Sequence, residues 1–374
     1  MNRLPKKEFH VGRPNLPKKS DLLQKFSAII DREWLTNNGP SVKELESKIA
    51  NHLGVKHCVC VCNATIGLEL VQKALNLTGE VIIPSFTFIA TANSLRWQKI
   101  DPVFCDIKPD NHLIDTSKIE ALITPRTSAI MAVPIWGQAC DYNELEKLAQ
   151  KHNLKLIFDA AHAFGCKSED RYIGGFGDAE VFSLHATKYF STGEGGVITT
   201  NSDALAEKLK YMRNFGFDGY DKTVSLGTNA KMSEFAAAYG LAAFDNLENI
   251  LNQNKFVYQS FIESFKQFPE IRFLKYNSKN VSNFHYIIAQ VPACVRDRLV
   301  EHFHKNKVFV RKYFFPGCHR LEPYCNDEKY VQCKLPITEK VSAEIIVFPN
   351  GNQIEPDDIT FFVKLIEGFL LNKK

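Results

Sequence analysis

The chain has 374 residues, 45% of them hydrophobic and 24% charged, with a formal net charge of +4. That composition supports a large core in about two domains of roughly 100–200 residues, excludes a disordered class, and gives no electrostatic reason to expect a nucleic-acid or membrane partner. Met1 is followed by Asn-Arg-Leu-Pro-Lys-Lys without an apolar export core, and no apolar run nears the roughly 20 residues of a membrane span, so a cytoplasmic location is expected.

The first residues are locally basic (Arg3, Lys6, Lys7, Arg13, Lys18, Lys19) and read as a mobile or docking arm over residues 1–20. From about residue 55 to 200, apolar runs alternate with helical patterns. Strands are expected at His57–Cys62, Glu80–Ile83, Pro102–Cys105, Ala129–Val133, Leu154–Phe158, Glu180–Ser183 and Gly196–Thr199. Helices are expected at Thr65–Leu77, Thr91–Gln98, Tyr142–His152 and Ala204–Arg213. Strands separated by helices of this length give an α/β fold, with a mostly parallel sheet covered by helices. Ser233–Asn252 reads as one long helix at the end of a large domain spanning 21–252. Shorter elements beyond it, such as Phe284–Gln290 and Val295–Lys305, read as a smaller C-terminal α+β domain over 253–374.

The ten cysteines are scattered, as free thiols of a reducing compartment are. Cys58, Cys60 and Cys62 alternate with Val59 and Val61, so a strand would set all three thiols on one face. Thiols spread along a strand do not converge on a tetrahedral ion, which makes them core residues and leaves no metal site expected.

The chemistry concentrates at the expected strand ends, where ligands of such sheets bind. Lys188, in Ser183-Leu-His-Ala-Thr-Lys188, can form a Schiff base with an aldehyde cofactor. Asp159, closing the apolar run before Ala-Ala-His162, can keep that cofactor's pyridine nitrogen protonated. Thr65 is placed to cap a helix whose free N–H groups bind an anion, and Ser183 can add a second hydroxyl to the same phosphate. Phe88, at a strand-to-helix junction, is expected to stack on a flat pyridine ring, with core filling as the alternative. His162 could cover the other side of the site or bond the cofactor; a satisfied buried histidine is its alternative.

These blocks, with Leu35-Thr-Asn-Asn-Gly-Pro40, Asn63-Ala-Thr65, Pro84-Ser-Phe-Thr-Phe-Ile-Ala-Thr91, Gly227-Thr-Asn-Ala-Lys-Met-Ser233 and Arg311-Lys-Tyr-Phe-Phe-Pro-Gly-Cys-His319, carry a resemblance nearly end to end. The chain resembles the DegT/StrS-like family of nucleotide-sugar aminotransferases dependent on pyridoxal 5'-phosphate. The resemblance implies the fold-type I, aspartate aminotransferase-like architecture. It also implies Lys188 as Schiff-base lysine and proton shuttle, and Asp159 as pyridinium partner. Thr65, Ile66 (through its backbone) and Ser183 would hold the phosphate, Phe88 would stack on the ring, and Asn229 would reach the phosphate from the partner subunit of a homodimer. Two departures stand out: Asn63-Ala64 where many members carry Ser-Gly, and Leu184 where Phe is commoner. Lys188 argues against the branch that carries histidine there and dehydrates its sugar.

Several strings resemble those of enzymes that aminate C4 of a dTDP-linked 4-keto-6-deoxyhexose with glutamate as donor, giving products such as dTDP-4-amino-4,6-dideoxyglucose. A 3-keto-sugar aminotransferase shares the same cofactor machinery, and a catalytically silent cofactor-binding sensor or scaffold is the reading from another class. Arg311, Tyr313 and His319 are candidates for the nucleotide or sugar pocket, and structural packing explains them equally well.

Overall fold

The computed structural model describes residues 7–371, so Arg3 and Lys6 of the basic arm lie outside the described residues. The chain enters through strand β1 (Phe9–His10) and helices α1 (Lys19–Asp31) and α2 (Pro40–Leu53). Pro40 occupies the first turn of α2, where its missing N–H costs nothing. Val42, Leu45, Ile49 and Leu53 form the buried stripe of that helix, and Gly54, at φ 66°, ends it in the left-handed region.

Five strands of the main sheet follow: β2 (His57–Val61), β3 (Glu80–Pro84), β4 (Asp101–Cys105), β5 (Thr127–Ala132) and β6 (Lys155–Asp159). Between them run α3 (Ala64–Ala74), α4 (Ala90–Trp97), the short α5 (Thr116–Ile119) and α6 (Tyr142–Lys151). A small hairpin, β7 (Lys167–Ser168) with β8 (Arg171–Tyr172), leads to β9 (Ala179–Ser183), β10 (Gly196–Thr200) and α7 (Asp203–Met212). The seven-stranded sheet has the order β2-β10-β9-β6-β5-β3-β4, and only β10 runs against its neighbours. The fold is α/β, of the expected mostly parallel type.

Alternation along each strand supplies two cores. Cys58, Cys60, Ile82, Ile130, Leu156, Phe158 and Phe182 face one side with α2 and α6, whereas Val59, Val61, Val81, Ile157, Val181 and Ile198 face the other with α3 and α7. Each fully buried Val, Leu, Ile or Phe among them contributes about 1.5–3 kcal/mol. Cys62 departs from the expected single thiol face. It lies beyond the end of β2, where the alternation stops, and packs with the second core.

Two helices, α8 (Glu234–Phe244) and α9 (Leu247–Ser264), replace the single helix expected over Ser233–Asn252. The break falls at Asp245-Asn246, whose short polar side chains compete with helical backbone bonds. Glu234 at the start of α8 is buried, and its carboxylate accepts from Ser41 N (2.8 Å), Val42 N (3.0 Å) and Arg32 Nη2 (2.6 Å). A Cβ on Gly39 would lie 2.6 Å from Glu234 Cδ, which explains the glycine in Leu35–Pro40.

The C-terminal part contains β11 (Arg272–Phe273), β12 (Ile287–Gln290), α10 (Ala293–Lys305), β13 (Val308–Phe309), α11 (Glu328–Val331), α12 (Pro336–Glu344), β14 (Ile345–Phe348) and α13 (Pro356–Leu371). Strands β11, β12 and β14 form an antiparallel sheet. Ile287, Ala289, Ile346 and Phe348 join a separate core with α9, α10 and α13, while Ile288, Ile345 and Val347 face the large core. The strand expected from Phe284 begins only at Ile287, because Phe284 sits at φ 49° and cannot be extended there. Phe9 of the arm enters the small core, and β1 pairs parallel with β13. Cys318, Tyr324, Tyr330 and Leu335 return to the large core, so the packing of 318–335 crosses the sequence boundary expected at 252/253.

Candidate active site

The carboxyl ends of β2, β6 and β9 and the amino end of the reversed β10 meet at one sheet edge. Gly196 pairs with both Val61 and Ser183, and a Cβ on it would sit 2.6 Å from Ala64 N. Only glycine lets β10 approach the start of α3 this closely.

That start is built differently from the expectation. Asn63, not Thr65, is the N-cap: its Oδ1 accepts from Ile66 N at 2.9 Å. Thr65 is the second helical residue, half-buried. The Ile66 N–H expected to face a phosphate is therefore committed to Asn63, while the Ala64 and Thr65 N–H groups lie in the first turn, where no intrahelical acceptor exists. The helix terminus with Thr65 and Ser183 thus retains the donors an anion needs. Ser183 Oγ itself makes only a long contact, 3.4 Å from His185 N.

Asp159 is the last residue of β6 and is 5% exposed. Its Oδ2 accepts from Thr91 Oγ1 at 2.6 Å and its Oδ1 from Ala161 N at 3.3 Å. Thr87 Oγ1 lies 2.9 Å from Thr91 Oγ1, extending the hydroxyl chain. Burial raises the Asp159 pKa, opposed by these two bonds and by the charge of Lys188. Lys188 lies in the loop after β9, its N–H bonded to His185 O at 2.9 Å. Burial pulls its ammonium pKa down to about 8 against the attraction of Asp159. A buried carboxylate thus stands near an amine whose lowered pKa leaves a useful fraction unprotonated at physiological pH.

His162 lies in a tight turn just after β6. Its Nδ1 accepts from Trp136 N at 3.2 Å, which leaves the proton on Nε2, and burial together with Lys188 and His285 holds its pKa well below the ordinary value. His162 stacks on Trp136 (5.8 Å) and Phe314 (5.9 Å), and Phe314 meets Phe88 edge-on at 6.5 Å. Phe88 is 57% exposed, so its ring is open to a ligand rather than spent in the core. Tyr313 stacks on Phe314 at 5.2 Å, and the Arg311 guanidinium lies 4.7 Å from the Tyr313 ring, so both adjoin this aromatic wall.

His319 does not. It is wholly buried, with Nδ1 2.7 Å from Ser85 Oγ and Nε2 3.2 Å from Glu339 Oε1. With both ring nitrogens engaged it fastens the 313–319 loop to the Ser85 turn and offers nothing to a substrate. Asn229 is exposed and bridges Asn214, and the next residue, Ala230, accepts from Cys62 N at 2.8 Å, one position before the α3 cap. Among the described residues no cluster of His, Cys, Asp and Glu could hold a metal ion, and no helix is long and apolar enough to cross a membrane.

Sequence reasoning missed Asn63, Thr91 and Trp136. A better signal for Asn63 was its place directly after the strand. Nothing local marks Thr91, which meets Asp159 across 68 positions.

An amine, a buried carboxylate, an open aromatic face and a helix-terminus anion site on a mostly parallel sheet with a small second domain define a fold-type I transferase of the pyridoxal phosphate class. Residues 17–367 match the model of the DegT/DnrJ/EryC1/StrS aminotransferase family, and the chain belongs to that family. It is 34% identical to the dTDP-4-amino-4,6-dideoxy-D-glucose transaminase of Shigella dysenteriae over 96% of this chain and 98% of the relative. The Escherichia coli protein of the same name is 32% identical over 97% of this chain and 99% of its own length. The crystal structure of DesI with its TDP-sugar product superposes at a TM-score of 0.93, with 40% identity over 97% of this chain and 93% of that one.

Proposed function

We propose that this chain is a pyridoxal-phosphate-dependent aminotransferase that moves an amino group from glutamate to C4 of an NDP-4-keto-6-deoxyhexose, with dTDP-4-keto-6-deoxyglucose as substrate, in amino-sugar and polysaccharide biosynthesis. The observation that carries this reading is the Lys188 amine, with its pKa of about 8, set near buried Asp159 at the sheet edge. The sugar and nucleotide rest on the two transaminases and on DesI, whose names specify a dTDP- or TDP-linked sugar.

When bound, pyridoxal phosphate supplies the electron sink and carries the amino group between the two half-reactions. Lys188 Nζ takes the Cα proton of glutamate in one half-reaction and delivers a proton to sugar C4 in the other. Asp159 would hold a proton on the pyridine nitrogen, and the Thr91 hydroxyl, bonded to Oδ2, with Ala161 N, bonded to Oδ1, fixes the carboxylate plane. The Ala64 and Thr65 N–H groups, with the Thr65 and Ser183 hydroxyls, bind the phosphate. Phe88, exposed at the site, would stack on the cofactor ring, and His162 would offer it a neutral donor through Nε2. Arg311 and Tyr313 border the sugar-nucleotide entrance.

Asn229 completes the phosphate site of the partner subunit in a homodimer. Mixing inactive Lys188→Ala and Asn229→Ala subunits should regenerate one intact site per mixed dimer, and activity should return on exchange. An Asn229→Ala protein as active as the wild type, or a fully active monomer, would remove this arrangement.

Purified protein with glutamate and a panel of 3-keto and 4-keto sugars on dTDP, UDP and GDP tests the reaction. Displacing the reacting carbon by one ring position costs on the order of 10²-fold per ångström of misplacement. Strong preference for the 4-keto sugar and nitrogen at C4 by NMR are expected. Nitrogen at C3 would overturn the position but not the amino transfer, and no turnover with any sugar would favour a silent scaffold.

A further inference from the structure

Asp159 ends β6 and Lys188 lies in the loop after β9, and the loop that follows Asp159 and the loop that carries Lys188 are both fastened to one segment of the C-terminal part, residues 282–286. Asn283 Nδ2 donates to His162 O (3.0 Å) and Phe164 O (3.2 Å), just past Asp159. His285 Nε2 donates to Thr187 O at 2.8 Å, the carbonyl of the peptide leading into Lys188. The two residues are themselves joined, since Asn283 Oδ1 accepts from the His285 backbone N–H at 3.1 Å.

The segment is rigid. Asn254 Nδ2 donates to Asn283 O (3.1 Å) and Asn350 Nδ2 to Phe284 O (2.5 Å), while Val281 and Lys167 exchange backbone bonds of 2.8 and 3.1 Å. These bonds hold Phe284 at φ 49°, a conformation that an aromatic residue adopts only when its surroundings impose it. Because Nε2 of His285 donates to a carbonyl, Nδ1 carries no proton. Burial pulls its pKa down to about 4, so the ring brings no charge beside Lys188.

We propose that Asn283 and His285 are positioning residues: a staple that fixes Lys188 relative to Asp159, so that the C-terminal domain sets the geometry of the reacting pair. The proposal rests on the aminotransferase reading, in which those two groups must meet one cofactor.

His285→Leu keeps most of the bulk and removes the donor. His285→Gln can still reach Thr187 O, and His285→Asn is polar but too short. In cofactor-free protein, the pH dependence of Lys188 acetylation, read by peptide mass spectrometry, should have its midpoint near 8 in the wild type. As the loop loosens and water reaches Nζ, the midpoint should rise by about one unit in the Leu and Asn variants, towards the ~10.4 of a free lysine. The Gln variant should restore the wild-type midpoint. With cofactor bound, kcat should fall ~10²-fold in Leu and Asn, with KM for glutamate changing less and thermal unfolding confirming the fold. An unchanged midpoint and kcat in whichever of the two variants folds would overturn the staple and leave the aminotransferase reading intact. A wild-type Lys188 that titrates as a free lysine in a protein that binds no cofactor would overturn that reading itself, and the staple with it.

Discussion

Lys188→Ala is expected to abolish turnover, by at least ~10⁴-fold, together with the visible absorbance of the lysine-bound cofactor. An alanine can neither bond the aldehyde carbon nor carry a proton to Cα or C4. An ordinary lysine, with a pKa of ~10.4, is almost wholly protonated near neutrality. Burial at this position brings the value to about 8, so a useful fraction is the free amine and that fraction grows as pH rises. The fold should persist, because the loop is held by the Thr187 and Tyr189 carbonyls rather than by the lysine side chain. Retained amino transfer by a pure Lys188→Ala sample would remove the residue from the chemistry.

Asp159→Asn is expected to keep part of the cofactor affinity and lose catalysis by ~10²–10³-fold. The amide preserves shape and can still accept from Thr91, but it carries no charge to stabilise a protonated ring nitrogen. Each unit by which the nitrogen's pKa falls is worth about 1.4 kcal/mol of lost electron-sink character. Buried at 5% exposure, Asp159 has no solvent to substitute for the missing charge. The measurements are kcat and the pH dependence of the bound-cofactor spectrum; near-normal values in both would mean that another group meets the nitrogen.

Much of this was legible in the sequence, for reasons that differ by residue. Lys188 and Asp159 were visible because each closes or follows a strongly apolar run, and strand ends of a parallel sheet gather at one edge. The sheet strands were readable from apolar runs bounded by turns. Helix ends were less so: Asn63 and Thr65 are both good caps, and only the backbone decides which side chain reaches Ile66 N. The break between α8 and α9 was hidden because Ala-rich and acidic stretches both favour helix, and one Asp-Asn pair ends the first. His319 was a pocket candidate through the resemblance of the string it closes, with structural packing the equal alternative, and its bonds to Ser85 and Glu339, from distant parts of the chain, are those of packing. Thr91, Asn283 and His285 share the same obstacle. Their partners are set by tertiary contact, for which a single sequence carries no local sign.

The most direct measurement is a single turnover of cofactor-loaded protein with glutamate deuterated at Cα and no sugar present. Deuterium should leave Cα, one equivalent of 2-oxoglutarate should form per site, and the visible absorbance of the lysine-bound cofactor should disappear. Lys188→Ala should show none of these changes. A wild-type protein that binds the cofactor but leaves both the absorbance and the deuterium in place would contradict amino transfer at this site.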